Sequence, residues 1–311
     1  MPRVKTWVIG RGGLVGSAVA RRPELDVFDA GAIPWGTAEV GPMLASRLER
    51  FVSWVGDDPW GIVWAAGSGV MYTGQAALDI ELKTFTSFCE RAVGILPSRG
   101  GGIYLVSSAG GAFAGSSHPP FDSRTEARPL NAYGRTRLAQ ELVLEQVVTS
   151  QVRTTIGRLA NVFGPGQDLT KQQGLVTQLC LCALLGRAAT VFAPLATLRD
   201  YIYVDDAARI IVDDVLRMTT PDAGVNRLRV VCSGRSTSIA ELISIVEHST
   251  GRSIPLLHVL PGEPYILDLR LRSGPDHRVD RMLATPLETG VSLVWHDLVG
   301  RLSDGSLLDL V

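Results

Sequence analysis

A tyrosine and an arginine one helical turn apart are the residues of this chain best suited to proton chemistry. Tyr133 and Arg137 share one face of a helix predicted over residues 131–149. A phenol has an ordinary pKa of about 10, too high for a base at neutral pH, and a nearby cation stabilises the phenolate. Arginine keeps its charge but does not relay a proton. The pair predicts a proton-exchanging phenol, and the structural alternative is an aromatic side chain packed on a sheet.

Two hydroxyls, Ser107 and Ser108, end a strand predicted over residues 102–108. Ligands of open parallel sheets bind at the carboxyl ends of the strands. We therefore expect these hydroxyls at the edge of the sheet where a ligand lies.

A glycine-rich turn lies near the start of the sequence, between an apolar strand and a helix predicted over residues 14–21. Gly10, Gly13 and Gly16 are spaced three apart, which is typical of a turn that lets a pyrophosphate approach the backbone at a helix start. A tight turn without a ligand gives the same pattern. The position of the turn, after a strand and before a helix, favours a dinucleotide site.

Two charged residues bear on the choice between NAD and NADP. Asp29 ends the second predicted strand, residues 25–29, where an acid accepts hydrogen bonds from the adenosine ribose and favours NAD. The first helix is short, so a turn aspartate is the alternative. Arg11 lies inside the glycine turn, where a cation can pair with a 2′-phosphate and favour NADP, or can be a solvated loop residue.

Strands and helices alternate through the first half of the chain. Helices are predicted over residues 38–55 and 78–93, and strands over 61–67 and 154–159, with a loop over 161–166 and a later helix through Met218. This rhythm predicts an α/β fold, a Rossmann-type doubly wound parallel sheet. The regular alternation of strands and helices ends after Gly164, which predicts a smaller C-terminal lobe. A capping box, Ser238 to Glu241, predicts a further helix over residues 240–250.

Composition excludes several classes of protein. The net charge is −1, which argues against nucleic-acid binding by bulk electrostatics. The apolar stretch over residues 175–196 contains Gln178 and Arg187, which argues against a membrane span. The four cysteines form no metal-ligand spacing and are expected to be free thiols, so we expect no metal site. The sequence shows no secretory signal, and we expect a cytoplasmic protein.

The ordered set of motifs resembles the extended short-chain dehydrogenase/reductases of the NAD-dependent epimerase/dehydratase type, which mostly modify nucleotide sugars. The resemblance implies that Tyr133 exchanges a proton while hydride passes to or from a nicotinamide, assisted by Arg137, where the family has lysine, and by a serine, with Ser108 preferred to Ser107. Ala109 follows, where the family often has a hydroxyl. The motifs that carry the resemblance are Gly10-x-x-Gly13-x-x-Gly16, Ala65-Ala66, Ser107-Ser108, Tyr133-x-x-x-Arg137, Asn161–Gly166 and Arg199–Asp205.

The resemblance also implies the binding residues. Asn161 and Arg199 match positions that contact the nucleotide sugar, with Arg199 at the diphosphate, although an ion pair of Arg199 with Asp200 or Asp205 is an alternative. Leu260 replaces an arginine that usually precedes the sequence Pro-Gly-Glu, unless Arg270 or Arg272 takes its place. The cofactor, NAD or NADP, is expected to contact Gly10, Arg11, Gly12, Gly13, Leu14, Val15, Gly16, Asp29, Ala65, Ala66, Gly67, Tyr133, Arg137, Leu159 and Val162.

These features lead to three functional hypotheses. The first is an NAD(P)-dependent nucleotide-sugar epimerase/oxidoreductase, the second an NADPH-dependent 4-keto-sugar reductase, and the third a non-catalytic dinucleotide-binding or scaffold protein. A 4,6-dehydratase is disfavoured because no glutamate follows Ser108. We expect a dinucleotide-binding domain over residues 1–165 with a return segment at about 198–232, and a substrate-binding lobe over 166–197 and 233–311. The resemblance implies a homodimer formed through the helices at 78–93 and 134–149.

Overall fold

The computed structural model describes residues 3–67, 73–97, 100–147, 152–171, 173–220, 226–259, 266–273 and 285–307. The strands are β1 (Val4–Ile9), β2 (Leu25–Val27), β3 (Trp60–Trp64), β4 (Gly101–Ser108), β5 (Arg153–Leu159), β6 (Asn161–Phe163), β7 (Ala189–Val191), β8 (Leu198–Tyr203), β9 (Asn226–Val231), β10 (Ser236–Ser238) and β11 (Leu256–His258). The helices are α1 (Leu14–Ala20), α2 (Val40–Val55), α3 (Gln75–Ile95), α4 (Ala109–Phe113), α5 (Ala132–Val147), α6 (Leu175–Leu185), α7 (Val204–Met218), α8 (Ile239–Thr250) and α9 (Leu287–Ser303).

A six-stranded parallel sheet in the order β2-β1-β3-β4-β5-β9 forms the centre of the larger lobe. Strands β3 and β4 are almost entirely buried, because helices cover both faces of the sheet. One face packs against α2 and α3, and the other against α1 and α7. The predicted doubly wound α/β fold is confirmed.

The strand order reverses at β1, which pairs with β2 on one side and with β3 on the other. Such a reversal opens a crevice at the carboxyl ends of the strands, where open α/β sheets bind their ligands. The glycine-rich turn follows β1, and residues 65–67 follow β3, so both segments lie at this crevice.

A smaller lobe is built around a second apolar core. Its three-stranded sheet has the order β10-β8-β6, and a two-stranded sheet joins β11 to β7. Helices α6, α8 and α9 bury their apolar faces against one another and include Leu179, Leu242 and Val294. Among the described residues, no helix is both long and apolar enough to cross a membrane.

Two expectations about elements differ from the structure, and one helix was not predicted. Residues 161–166, expected to be a loop, begin with strand β6, which pairs with β8 through Asn161 and Tyr201. The return segment divides, because β8 joins the smaller sheet whereas α7 and β9 pack in the larger lobe. Helix α9 was not predicted, although Val291, Val294 and Leu298 follow helical spacing and are buried.

The predicted cap of α8 is present. The Ser238 side chain accepts a hydrogen bond from Glu241 N at 3.1 Å, and Gly251 ends the helix in a left-handed conformation with φ 64°.

Candidate active site

The turn after β1 needs glycine at two of its positions. Gly10 has φ +94°, and a Cβ atom placed on it would lie 2.6 Å from Ala66 N. A Cβ atom on Gly16 would overlap the carbonyl of Gly10. The backbones of the turn, of α1 and of the segment after β3 therefore approach one another closely, as the spacing of the glycines predicts.

The other two glycines of the turn leave open space. A Cβ atom on Gly12 would meet no atom within 4 Å, and one on Gly13 would meet only Gly10 O, at 3.5 Å. No side chain caps α1 at Gly13. The exposed backbone of this turn therefore fits the phosphates of a dinucleotide, which need close approach without a side chain in the way.

Arg11 and Asp29 meet at the edge of the same crevice. The Arg11 Nη2 atom lies 3.3 Å from Asp29 Oδ1, and both side chains are exposed. Asp29 Oδ1 also accepts a hydrogen bond from Gly31 N at 3.1 Å, which is the bond of a turn aspartate. The two residues with opposite implications for NAD and NADP thus form one exposed ion pair.

Tyr133 and Ser108 flank a single glycine at the carboxyl end of β4. A Cβ atom on Gly111 would lie 3.3 Å from Tyr133 Cε1 and 3.5 Å from Ser108 Cβ. The Ser108 Oγ atom accepts a hydrogen bond from Gly111 N at 3.1 Å, so its own hydrogen remains to be donated to a ligand oxygen. The Asn131 side chain caps the start of α5 by accepting from Gly134 N, which fixes the helix that presents Tyr133.

Ser107 points into the protein. It is buried, and its Oγ donates to Glu141 Oε1 at 2.5 Å, while Glu141 also accepts hydrogen bonds from Nε and Nη2 of Arg158. Alternate residues of a strand point to opposite faces, so only one of the two serines reaches the crevice. Ser107 was a predicted catalytic residue, and in the structure its hydroxyl contacts the buried Glu141–Arg158 ion pair.

Arg137 lies against the face of Tyr133. Its Cζ atom is 5.1 Å from the centroid of the Tyr133 ring, a cation–π distance. Its Nη1 atom lies 3.0 Å from Glu81 Oε1 of α3 and donates to Gln140 Oε1 at 2.8 Å. Burial by itself lowers the pKa of Arg137, but the charge interactions with Tyr133 and Glu81 outweigh burial and raise that pKa above its ordinary value.

The backbone of Gly67 lies over this ion pair. A Cβ atom on Gly67 would overlap Arg137 Nη2 and lie 2.9 Å from Glu81 Oε1. Gly67 follows Ala65 and Ala66, and Ala66 contacts the glycine turn. A continuous line of contacts therefore runs along the edge of the sheet, from Gly10 through residues 66–67 to Arg137, Tyr133 and Ser108.

The two residues expected at the substrate are held by backbone bonds. Asn161 Nδ2 donates to Asp200 O at 2.9 Å. Arg199 Nη1 donates to Leu198 O at 2.8 Å, and burial lowers the pKa of Arg199 despite the opposing charge interactions of Tyr201 and Asp268.

Asp200, a possible ion-pair partner of Arg199, makes other bonds. It accepts backbone hydrogen bonds from Ser233 and Gly234, and burial raises its pKa to about 6. The carboxylate thus fixes the segment between β9 and β10 and does not neutralise Arg199.

The possible substitutes for the arginine replaced by Leu260 are both engaged. Arg270 pairs with Asp268 at 2.8 Å, and Arg272 pairs with Asp122 at 2.9 Å. Leu260 and the Pro-Gly-Glu sequence lie outside the described residues.

Leu159 and Val162 lie on either side of the junction between the two sheets. Leu159 ends β5 beside Ser108 and is 6% exposed, and Val162 is half-buried in β6. Their positions fit an apolar wall of the crevice.

Comparison with known proteins agrees with this geometry. The family model described as the NAD dependent epimerase/dehydratase family matches residues 90–227, the segment that contains Ser108, Tyr133, Arg137 and Arg199. Over this segment the chain is similar to that family.

Two proteins named as epimerases share part of the sequence. A dTDP-L-rhamnose 4-epimerase of Burkholderia thailandensis is 34% identical over 139 residues, which is 44% of this chain and 37% of the relative. A UDP-glucose 4-epimerase of Mycolicibacterium smegmatis is 30% identical over 182 residues, which is 57% of this chain and 53% of the relative. The aligned segments thus span about a third to a half of these relatives.

Similarity to solved structures extends over nearly the whole fold. The UDP-glucose 4-epimerase of Thermotoga maritima with UDP-glucose has a TM-score of 0.77 at 19% identity, covering 96% of this chain and 100% of that one. The UDP-glucose 4-epimerase of Thermus thermophilus in complex with NAD has a TM-score of 0.74 at 18% identity, covering 96% and 99%. At these identities the similarity establishes the fold.

Two residues of the candidate site, Glu81 and Gln140, were not found by reading the sequence. Glu81 lies on α3, far from Tyr133 along the chain, and an isolated glutamate on a mixed helix face carries no local signal. Gln140 Nε2 lies 3.4 Å from Glu81 Oε1 and joins the two helices. The sequence feature that could have indicated Glu81 is Arg137 itself, which stands where the family has lysine and, as a larger cation, needs an acidic partner.

Proposed function

We propose that this protein is an NAD(P)-dependent nucleotide-sugar epimerase/oxidoreductase in which Tyr133 exchanges a proton with a sugar carbinol or ketone. The observation that carries the proposal is the placement of Tyr133, with Arg137 against its ring and Ser108 beside it, in line with the glycine-rich turn. A phenol, a cation and a hydroxyl at the carboxyl edge of the sheet are what proton transfer coupled to hydride transfer requires.

Each residue has a part in this reaction. NAD(P), when bound, supplies the hydride acceptor or donor. The glycine turn from Gly10 to Gly16, with Leu14 and Val15 at the start of α1, holds the phosphates, and residues 65–67 line the adjacent wall. Tyr133 takes the proton from the substrate hydroxyl or returns it, Ser108 donates to the same oxygen, and Arg137 stabilises the phenolate from the face of its ring.

We propose NAD as the cofactor, because the Asp29 carboxylate accepts from ribose hydroxyls and opposes a 2′-phosphate. The family description and the NAD complex of the Thermus thermophilus protein support this choice. Arg11 is the feature that favours NADP, and its ion pair with Asp29 offsets part of its charge.

A nucleotide-linked sugar is the proposed substrate. The names of the relatives, which act on dTDP- and UDP-sugars, support it. We propose that Asn161 contacts the sugar nucleotide, that Arg199 contacts its diphosphate, and that the smaller lobe, residues 166–197 and 233–311, covers it. Arg199 lies on the central strand of the small sheet, and its guanidinium suits phosphate oxygens, which accept two hydrogen bonds from it.

Two other functions are supported by particular residues. Arg11 supports an NADPH-dependent 4-keto-sugar reductase, because it can contact a 2′-phosphate. Arg137 and Ala109 support a non-catalytic dinucleotide-binding protein, because each departs from the family pattern.

The test begins with the purified protein passed through a gel-filtration column. An epimerase is expected to retain NAD, whereas a reductase is expected to bind added NADPH reversibly.

The protein and its Tyr133→Phe variant are then assayed with UDP- and dTDP-hexoses. We expect turnover by the wild-type protein and a loss of about 100-fold or more in kcat for the variant. Full activity of the variant would overturn the role of Tyr133, and dinucleotide binding without any turnover would support the non-catalytic function.

We also propose a homodimer formed through α3 and α5, and a cytoplasmic location. The two helices pack side by side and expose Ile80 (60%) and Leu142 (49%) to solvent. Exposed apolar side chains on neighbouring helices fit a surface buried by a second copy. The four cysteines are free thiols, which fits a reducing compartment.

A further inference from the structure

Arg137 and Glu81 form a nearly buried ion pair next to the proposed proton-transfer tyrosine. The two side chains are 8% and 12% exposed, and their atoms Nη1 and Oε1 are 3.0 Å apart. Gln140 contacts both partners, at 2.8 Å and 3.4 Å. A buried charge needs such a partner, since an unpaired one is strongly destabilising.

The pair fixes where the positive charge of Arg137 acts. Gly67 covers the guanidinium on the side of the crevice, and the Tyr133 ring lies on another side at 5.1 Å. Glu81 holds the guanidinium from α3. The cation therefore lies against the face of the Tyr133 ring, and its charge acts on Tyr133 from there.

We propose that Glu81 is a positioning residue for Arg137, which holds the guanidinium against Tyr133 and offsets part of its positive charge. The inference rests on the proposed role of Tyr133 in proton transfer. Because the Glu81–Arg137 pair is neutral as a whole, the positive field that it exerts at Tyr133 is weaker than that of an unpaired guanidinium.

In the described part of the chain, the charged groups near Tyr133 lie on α5, α3 and β5. Helix α5 contributes Arg137 and, one turn further on, Glu141, which Arg158 of β5 already neutralises. Helix α3 contributes Glu81. After β3, the uncharged Gly67 lies against the Arg137–Glu81 pair. From α4 the uncharged Gly111 lies beside Tyr133, and β4 contributes the hydroxyl of Ser108. Glu141 pairs with Arg158, whereas Glu81 pairs with the cation that lies against Tyr133, so within the described part of the chain Glu81 is the carboxylate whose removal acts most directly on the field at Tyr133.

The test measures the ionisation of Tyr133 directly, without a substrate. The near-ultraviolet absorbance of tyrosinate is followed against pH in the wild-type protein and in Glu81→Gln. From each titration curve, the curve of the same protein carrying Tyr133→Phe is subtracted, so that the signal of the other tyrosines cancels. Glutamine keeps an oxygen that accepts from Arg137 and removes the negative charge. Asp79→Asn is the matched control, because Asp79 is an exposed acid of the same helix.

We expect the tyrosinate of Tyr133 to appear about one pH unit lower in Glu81→Gln than in the wild-type protein, and at unchanged pH in Asp79→Asn. Glu81→Asp draws the carboxylate back by one methylene group, so a smaller shift in the same direction is expected, and this variant serves if Glu81→Gln does not fold. Unchanged ionisation in both Glu81 variants, or ionisation at higher pH, would overturn the proposal. Failure of every sugar nucleotide to react would instead concern the proposed function, since this titration needs no substrate.

Discussion

Ser107 and Ser108 end β4, and we propose different roles for their hydroxyls. Replacing each serine in turn separates an effect on activity from an effect on stability. Ser108→Ala removes the proposed donor to the substrate oxygen, so we expect kcat to fall about 10-fold or more, with a loss of stability of about 1 kcal/mol from the lost cap of α4. Ser107→Ala removes a bond to the buried Glu141 and is expected to cost about 1–3 kcal/mol of unfolding free energy, with kcat nearly unchanged. Steady-state assays and urea unfolding of both variants measure the two effects. The reverse pattern would exchange the roles of the serines.

The buried carboxyl of Asp200 makes stability depend on pH. Burial raises its pKa from 3.8 to about 6, so the native state holds this proton more tightly than the unfolded chain does. Its stabilising contribution is complete below about pH 4 and is lost as the pH rises through about 6. We expect the unfolding free energy of the wild-type protein, relative to Asp200→Asn, to fall by about 2–3 kcal/mol between pH 4 and pH 7.

Denaturant unfolding at several pH values checks this expectation. Asp57→Asn is the control, because Asp57 is an aspartate on the surface and Asp200 is buried. A constant difference for Asp200→Asn would show that the native carboxyl titrates like that of an unfolded chain.

At the scale of elements, the join between β1 and α1 decides whether the larger lobe can form its crevice. A methyl group at Gly16 would overlap Gly10 O, whereas one at Gly12 would enter open space. Gly16→Ala is therefore expected to lower the unfolding free energy by about 1–3 kcal/mol, because the backbone must shift. Gly12→Ala is expected to leave stability nearly unchanged and to weaken dinucleotide binding.

Thermal unfolding and calorimetric titration with NAD distinguish the two glycine variants. If Gly12→Ala bound NAD as tightly as the wild-type protein, the open face of the turn would not be the phosphate site. If Gly16→Ala were as stable as the wild-type protein, the backbone could move away from the added methyl group without loss of unfolding free energy, which would contradict the prediction.

At the scale of the whole molecule, the exposed apolar side chains of α3 and α5 bear on assembly. A charge at Ile80 would be buried without a partner in the proposed dimer, so Ile80→Asp is expected to yield monomers. Leu293→Asp on α9 is the control, because Leu293 is also exposed, at 41%, but lies in the other lobe. Light scattering coupled to gel filtration measures the mass of each. A monomeric wild-type protein, or a dimer that persists in Ile80→Asp, would contradict the interface.

Local features of the sequence predicted much of the fold. Apolar spacing predicted α2, whose buried residues Val40, Leu44 and Leu48 follow the helical period, and Ser238 predicted the start of α8. These signals act within one or two turns of chain, so they survive without knowledge of the fold. Strand β6 escaped prediction because its pairing partner, β8, lies far along the sequence, and three residues carry too little pattern of their own.

The sequence by itself determined the doubly wound sheet, the glycine turn and the pairing of Tyr133 with Arg137 on one helix face. Only the tertiary structure decided which of two adjacent serines faces the crevice, that Arg11 meets Asp29, and that Glu81 holds Arg137. The physical reason is range: periodicity and capping are properties of neighbouring residues, whereas the partner of a buried charge is chosen by the packing of distant helices.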